Sequence, residues 1–127
     1  MNEAMRAEAA DLRKMASSEA ANWLLEHYPQ GGEGIILLEH VSLRKADTRR
    51  IAEQYLAGAT AAHDRPYRVF AKLLGLSGLV RVLRTNATRS ARDADLLAYH
   101  LEPLIREAQD MESRRTGQSF LASLSSS

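Results

Sequence analysis

The 127-residue chain has no cysteine, a single tryptophan, three prolines and only 6% aromatic residues. Without cysteine there are no disulfides, thiolate metal sites or cysteine nucleophiles, a composition that suits a reducing compartment. The scarcity of aromatics leaves Tyr55, Tyr67 and Phe70 as the only rings between residues 41 and 92, too few for a platform on which single-stranded bases stack. Long apolar runs are missing as well. The most apolar stretch, "LLGLSGLV" from Leu73 to Val80, is eight residues between Lys72 and Arg81, against the roughly 18 to 20 that a bilayer span requires. The opening "MNEAMRAEAADLRK" carries Glu3, Glu8 and Asp11 in place of the basic start and apolar core of a secretory leader. A soluble, cytoplasmic protein is the expectation.

A hydrophobic content of 45% and a charged content of 26% are ordinary for a globular chain. The length is enough for one self-sufficient core. The expected organisation is a single helical domain over 1–116 followed by a flexible serine-rich tail over 117–127, "GQSFLASLSSS". Alanine, leucine, glutamate and arginine abound and no stretch alternates apolar with polar residues for long. The fold class is therefore all-α: five or six short helices packed as antiparallel hairpins, as a bundle or a short array.

Along the chain, Met5, Ala9, Leu12 and Ala16 form the stripe of a first helix over 2–15. Ser17 or Ser18 offers the N-cap of a second, which ends at Pro29; whether the two are continuous stays open. "PQGGEG" is a loop, and "IILLEHV" a short buried element. Asp47 can cap a helix whose apolar face is Ile51, Ala52, Tyr55, Leu56 and Ala59. Asp64 and Pro66 open the next, which runs to Thr85 with apolar residues on all sides and so predicts the most buried element. Gly75 and Gly78 inside it each cost about 0.8 to 1 kcal/mol relative to alanine, which close approach of another backbone or a kink would repay, and packing within the protein is preferred over packing on a partner's helix. Ser90 and Asp93 resemble a capping box for a last helix with Leu97, Leu101, Leu104, Ile105 and Ala108 on one face. Glu102 and Arg106 form an i, i+4 pair on the other face, and Pro103 predicts a kink or break at Glu102.

Few residues have the spacing of a reactive site. "LLEH" occurs at 24–27 and again at 37–40, flanking the glycine loop. Adjacent Glu and His on a helix point about 100° apart, and neither pair has the i, i+4 spacing of a zinc-binding HExxH. The better reading is two leucine pairs turned inward with Glu26, His27, Glu39 and His40 in solvent. "GGEG" lacks the Lys-Ser/Thr of a phosphate loop, and "GLSGL" has Leu79 where a nucleophile elbow needs glycine. Arg92 and His100 are one residue too far apart for the Arg-x(4–6)-His of HEPN-type nucleases. No catalytic residue, metal ligand or cofactor is assigned, and an enzyme built on His27, His40, His63 or His100 ranks third.

Charge is more informative. The net value of +1 conceals three blocks: −4 over 1–40, +8 over 41–92 and −3 over 93–127. Arg44, Lys45, Arg49, Arg50, Arg65, Arg68, Lys72, Arg84 and Arg89 of the central block are the candidate partner-binding residues. The segments "RRIAEQYLAGAT", "RPYRVFAKLLG" and "DLLAYHLEPLIREA" resemble an armadillo- or HEAT-type array over residues 33–112, which implies a concave protein-binding surface and carries no catalytic residues. The leading expectation is a protein-binding module, such as a toxin-neutralising immunity protein or an assembly component, that covers an acidic surface with its arginines. The alternative is a helical nucleic-acid-associated protein using the same cations on phosphates. Self-association as a homodimer is a further expectation, and membrane contact is not.

Overall fold

The computed structural model describes residues 1–58, 60–85 and 90–125. Among them there are seven helices and no strand, where five or six helices are expected from the sequence. They fall into two compact units, residues 1–55 and 56–127.

The first unit holds α1 (Glu3–Arg13), α2 (Ser17–His27), α3 (Glu33–Leu38) and α4 (Lys45–Tyr55). Asn2 caps α1, its Oδ1 accepting the Met5 N–H at 2.8 Å, with Glu3 in the first turn and Arg13 in the last, as the helix dipole favours. Met5, Ala9 and Leu12 are buried as the stripe predicts, but Ala16 is exposed. Ala16 adopts an extended conformation (ψ 152°), so α1 and α2 are separate and Ala16, not a serine, precedes the first residue of α2. Ser17 is already helical because its hydroxyl serves α4 instead: it donates to Asp47 Oδ2 at 2.6 Å and accepts the Arg44 N–H at 2.8 Å. Asp47 correspondingly lies inside the first turn of α4 and does not cap it.

Leu24, Leu37 and Leu38 are buried, while Glu26, His27, Glu39 and His40 are exposed. Gly31 and Gly32 take positive φ (91° and 55°) and turn the chain between α2 and α3. Gly34 fills a different need. A Cβ there would lie 2.5 Å from the Tyr55 hydroxyl and 2.9 Å from Tyr28 Cβ, so only glycine lets α3 start against both tyrosines. Tyr55 donates to the Leu24 carbonyl at 3.3 Å, and burial pushes its hydroxyl pKa up to about 12. Tyr28 reaches α1 by donating to the Glu8 carboxylate at 2.9 Å.

The second unit holds α5 (Arg65–Thr85), α6 (Ala91–Glu107) and α7 (Met111–Ser125), each packed on the other two. Eight residues of α5 are buried, more than in any other helix of the described residues, in line with its apolar residues on all sides. Of the two reasons the sequence leaves open for its glycines, close approach or a kink, Gly75 shows the kink. That residue has φ 77° and ψ 160°, a non-helical conformation that splits α5 into two halves, and a Cβ placed on it would meet nothing within 4 Å. Its glycine is required by backbone conformation, not by a neighbour. The close approach occurs at Gly117 of α7, where a Cβ would sit 2.5 Å from Ile105 Cγ1 on α6.

Ser90 caps α6 through the Asp93 N–H at 3.1 Å. The helix continues through Pro103 to Glu107, so the expected break at Glu102 is absent. The carbonyl that proline leaves without a donor belongs to Tyr99, whose side chain is 74% exposed, and water can satisfy it on that side. Residues 117–125, expected as a frayed tail, belong to α7, whose start is capped by Asp110 accepting the Ser113 N–H at 2.9 Å. Phe120 is buried and anchors that helix.

The irregular segment ahead of α5 is held by side chains. Ala61 N–H donates to the Tyr67 hydroxyl at 2.9 Å, and its carbonyl accepts from His100 Nε2 at 2.9 Å. Because a carbonyl only accepts, Nε2 carries the proton in this tautomer. His100 stacks on Tyr67 with centroids 5.4 Å apart.

The split at Gly75 reverses the usual sign of a helical glycine substitution. Gly75→Ala should lose about 1 to 3 kcal/mol of stability through backbone strain, where a regular helical site would gain about 1. Denaturant unfolding of the two proteins measures which sign applies.

Candidate partner-binding surface

The nine cations singled out in the sequence do not stand as equals. In the first unit, Arg44 precedes α4 and Lys45, Arg49 and Arg50 occupy its first two turns. Arg50 is committed internally: Nη1 donates to Asn22 Oδ1 on α2 at 2.6 Å, and Nη2 lies 3.4 Å from Asp47 Oδ1. The Ser17 hydroxyl and then Arg50 and Arg44 hold the Asp47 carboxyl below its ordinary range, against a smaller opposing effect of desolvation. Ser17, Asn22, Asp47 and Arg50 thus tie α2 to α4. Arg44 and Lys45 are exposed, and neither side chain is bonded to a described residue. The Nε of Arg49 is buried with no hydrogen-bond partner among the described residues.

In the second unit, Arg65, Arg68 and Lys72 follow i, i+3, i+7 along the first half of α5, all exposed. Arg68 Nε donates to Asp64 Oδ2 at 2.6 Å and Nη1 lies 3.5 Å from Glu107 Oε2, so one guanidinium joins the start of α5 to the end of α6. The hydrogen bond lowers the Asp64 pKa and raises that of Arg68. Lys72 and Arg68 border a cleft of about 410 Å³ that also takes in Gly75, Leu104, Asp110 and Ser113. Arg84 belongs to the second half of α5, beyond Gly75, and lies over the Phe120 ring at 5.4 Å from its centroid. Arg89 lies outside the described residues. The exposed cations therefore form one group at the start of α4 and another along the first half of α5, in different units.

Lys45 begins α4, which has Asp47 in its first turn, and Arg65 begins α5 directly after Asp64. The amino-terminal turn carries a partial positive charge, which disfavours cations and favours anions, and Asp47 and Asp64 answer that charge in part.

A second concavity in the second unit, about 580 Å³, is lined by Ala62, His63, Asp64, Tyr99, His100, Glu102, Pro103 and Arg106. It brings His63 and His100 to one place, although they are 37 positions apart in sequence. Glu102 and Arg106 have the spacing of an ion pair but make none, with each other or with any described residue. His27 lies in the first unit, stacked on Trp23 at 4.2 Å, and His40 is exposed nearby in sequence to Val41. Among the described residues no group of three or more His, Cys, Asp or Glu side chains could hold a metal ion. The sequence signal for this concavity was the spacing Tyr99, Glu102/Pro103, Arg106 on the outward side of α6, which the search for catalytic motifs passes over.

The Asp47 tie sets a pH dependence. Its carboxyl is held below the unfolded value of 3.8, so the stability it supplies is complete above that value and is lost as pH falls through the lower folded pKa. Ser17→Ala removes the largest contribution, and the Asp47 resonance, followed by NMR, should titrate at higher pH than in the unaltered protein. An unchanged titration would mean that the Ser17 hydroxyl does not hold this carboxylate. In comparisons with protein-family models, with curated proteins and with solved structures, nothing matches this chain.

Proposed function

We propose that this chain is a non-enzymatic protein-binding module that covers an acidic surface of its partner with the cations at the start of α4 and along the first half of α5. The partner is a protein the module neutralises, such as a toxin, or a neighbour in a larger assembly. Its helix pairs would stand as antiparallel hairpins within each unit, and its place of work would be the cytoplasm. No helix among the described residues is long and apolar enough to cross a membrane.

One observation carries this reading: Arg44 and Lys45 are exposed at the amino-terminus of α4 with neither side chain hydrogen-bonded to a described residue, and Asp47, already held by Ser17 and Arg50, is the acidic residue of that turn. Carboxylates of a partner placed there would meet side-chain cations and the favourable end of the dipole together. The already engaged Arg50 and Arg68 would contribute position more than new attraction, since each would have to exchange an internal carboxylate for an external one. Phosphates would fit the same turns, which makes nucleic acid the outcome to test against.

Affinity capture with the full chain, compared with a double variant Arg44→Glu and Lys45→Glu and with Lys72→Glu, tests the reading. A specific protein should be retained by the unaltered chain and its affinity reduced on the order of tenfold or more by charge reversal. Titration with DNA and RNA at two salt concentrations provides the opposing result: binding that weakens steeply with salt, and no charge-sensitive protein partner, would replace this proposal with the nucleic-acid one.

A further inference from the structure

The outward side of α6 presents an acid and a base one turn apart, each without a partner, beside an exposed aromatic ring. Glu102 and Arg106 are exposed and unpaired among the described residues, and Tyr99, one turn earlier, is 74% exposed. Pro103 lies between them and all four border the same concavity. On a helix these positions share one side. Asp64, the other carboxylate at that concavity, is already held by Arg68 at 2.6 Å. What remains open is therefore one negative charge, one positive charge and a ring on α6, with the exposed His63 at the opposite side of the concavity.

We infer that this side of α6 is a two-fold interface with a second copy of the same chain. An acid and a base one turn apart are self-complementary when two identical helices cross antiparallel. Glu102 of one copy then faces Arg106 of the other, and the symmetry operation repeats the pair. Crossing near Pro103 places the flat side of one pyrrolidine ring against the other, where the backbone has no N–H to desolvate, and the Tyr99 carbonyl that the proline frees keeps its water at the edge of the contact. Tyr99 then lies over the stem of the opposite Arg106 and loses most of its exposure. A partner of one charge sign would satisfy only half of this arrangement and leave the other charge desolvated. The inference uses none of the cations of the proposed function, so it stands or falls independently of that reading.

Light scattering and sedimentation equilibrium of the full chain over a wide concentration range test it. The unaltered protein should dimerise with concentration. Glu102→Arg and Arg106→Glu should each raise the dimer dissociation constant by on the order of tenfold or more, because each places like charges face to face twice. The double variant Glu102→Arg/Arg106→Glu should restore the dimer, and an equimolar mixture of the two single variants should form a mixed dimer. Circular dichroism checks that each variant keeps its helix content; a variant that loses it is replaced by Glu102→Gln or Arg106→Gln, which should weaken the dimer without repulsion. A chain that stays monomeric at every concentration, or a dimer indifferent to these substitutions, overturns the inference.

Discussion

The second unit depends on covering a helix that is apolar on most of its circumference. Between Phe70 and Leu83, only Lys72, Gly75 and Arg81 of α5 are exposed, so one flanking helix cannot bury the rest. α6 and α7 both pack on it, and the break at Gly75 redirects the chain so that the two halves meet their neighbours separately. Gly117 brings α7 close to Ile105, and Phe120 fixes the far end. The irregular stretch before α5 is secured by Tyr67 and His100 on the two polar groups of Ala61, which spends buried polar side chains on backbone that would otherwise be unsatisfied.

Much of this was legible in the sequence where a local rule decides. The stripe of α1, the glycine loop after Pro29, the start of α5 at Asp64 and Pro66, and the Ser90 cap all rest on residues within a turn of one another. The misreadings share a cause. Ser17 looks like a cap, yet its hydroxyl bonds to Asp47, 30 residues away, and Asp47 in turn is no cap for the same reason. For Gly75 the sequence leaves a close contact and a kink both open, and only its backbone angles decide for the kink. Pro103 allows a kink or a break in the sequence; the helix is not broken, and the carbonyl the proline frees faces water. A serine-rich end looks frayed until Phe120 and Gly117 find α5 and α6.

The charge pattern was visible in the same partial way. Counting residues locates a basic middle, but not which cations are already engaged. Arg50 pairs with Asn22 and Asp47, and Arg68 reaches Glu107, 39 residues on. Exposed pairs of this kind contribute little stability by themselves, a few tenths to about 1 kcal/mol. Their consequence is geometric: they fix α4 against α2 and α5 against α6, and leave Arg44, Lys45 and Lys72 extended from ordered helices. An ordered cation at a helix amino-terminus loses less freedom on meeting a carboxylate than one on a mobile loop.

The same separation of engaged from unengaged groups distinguishes two surfaces of different character. The turns rich in cations suit a partner that supplies negative charge, whereas α6 presents both signs and suits its own copy. The most direct measurement for the central claim, that the amino-terminal turns of α4 and α5 receive an acidic protein, is hydrogen exchange of the full chain with and without its captured partner. Protection should rise at residues 44–50 and 65–72 and remain unchanged along α1. Protection confined to α1 or α7, with both basic turns exchanging as in the free protein, would contradict it.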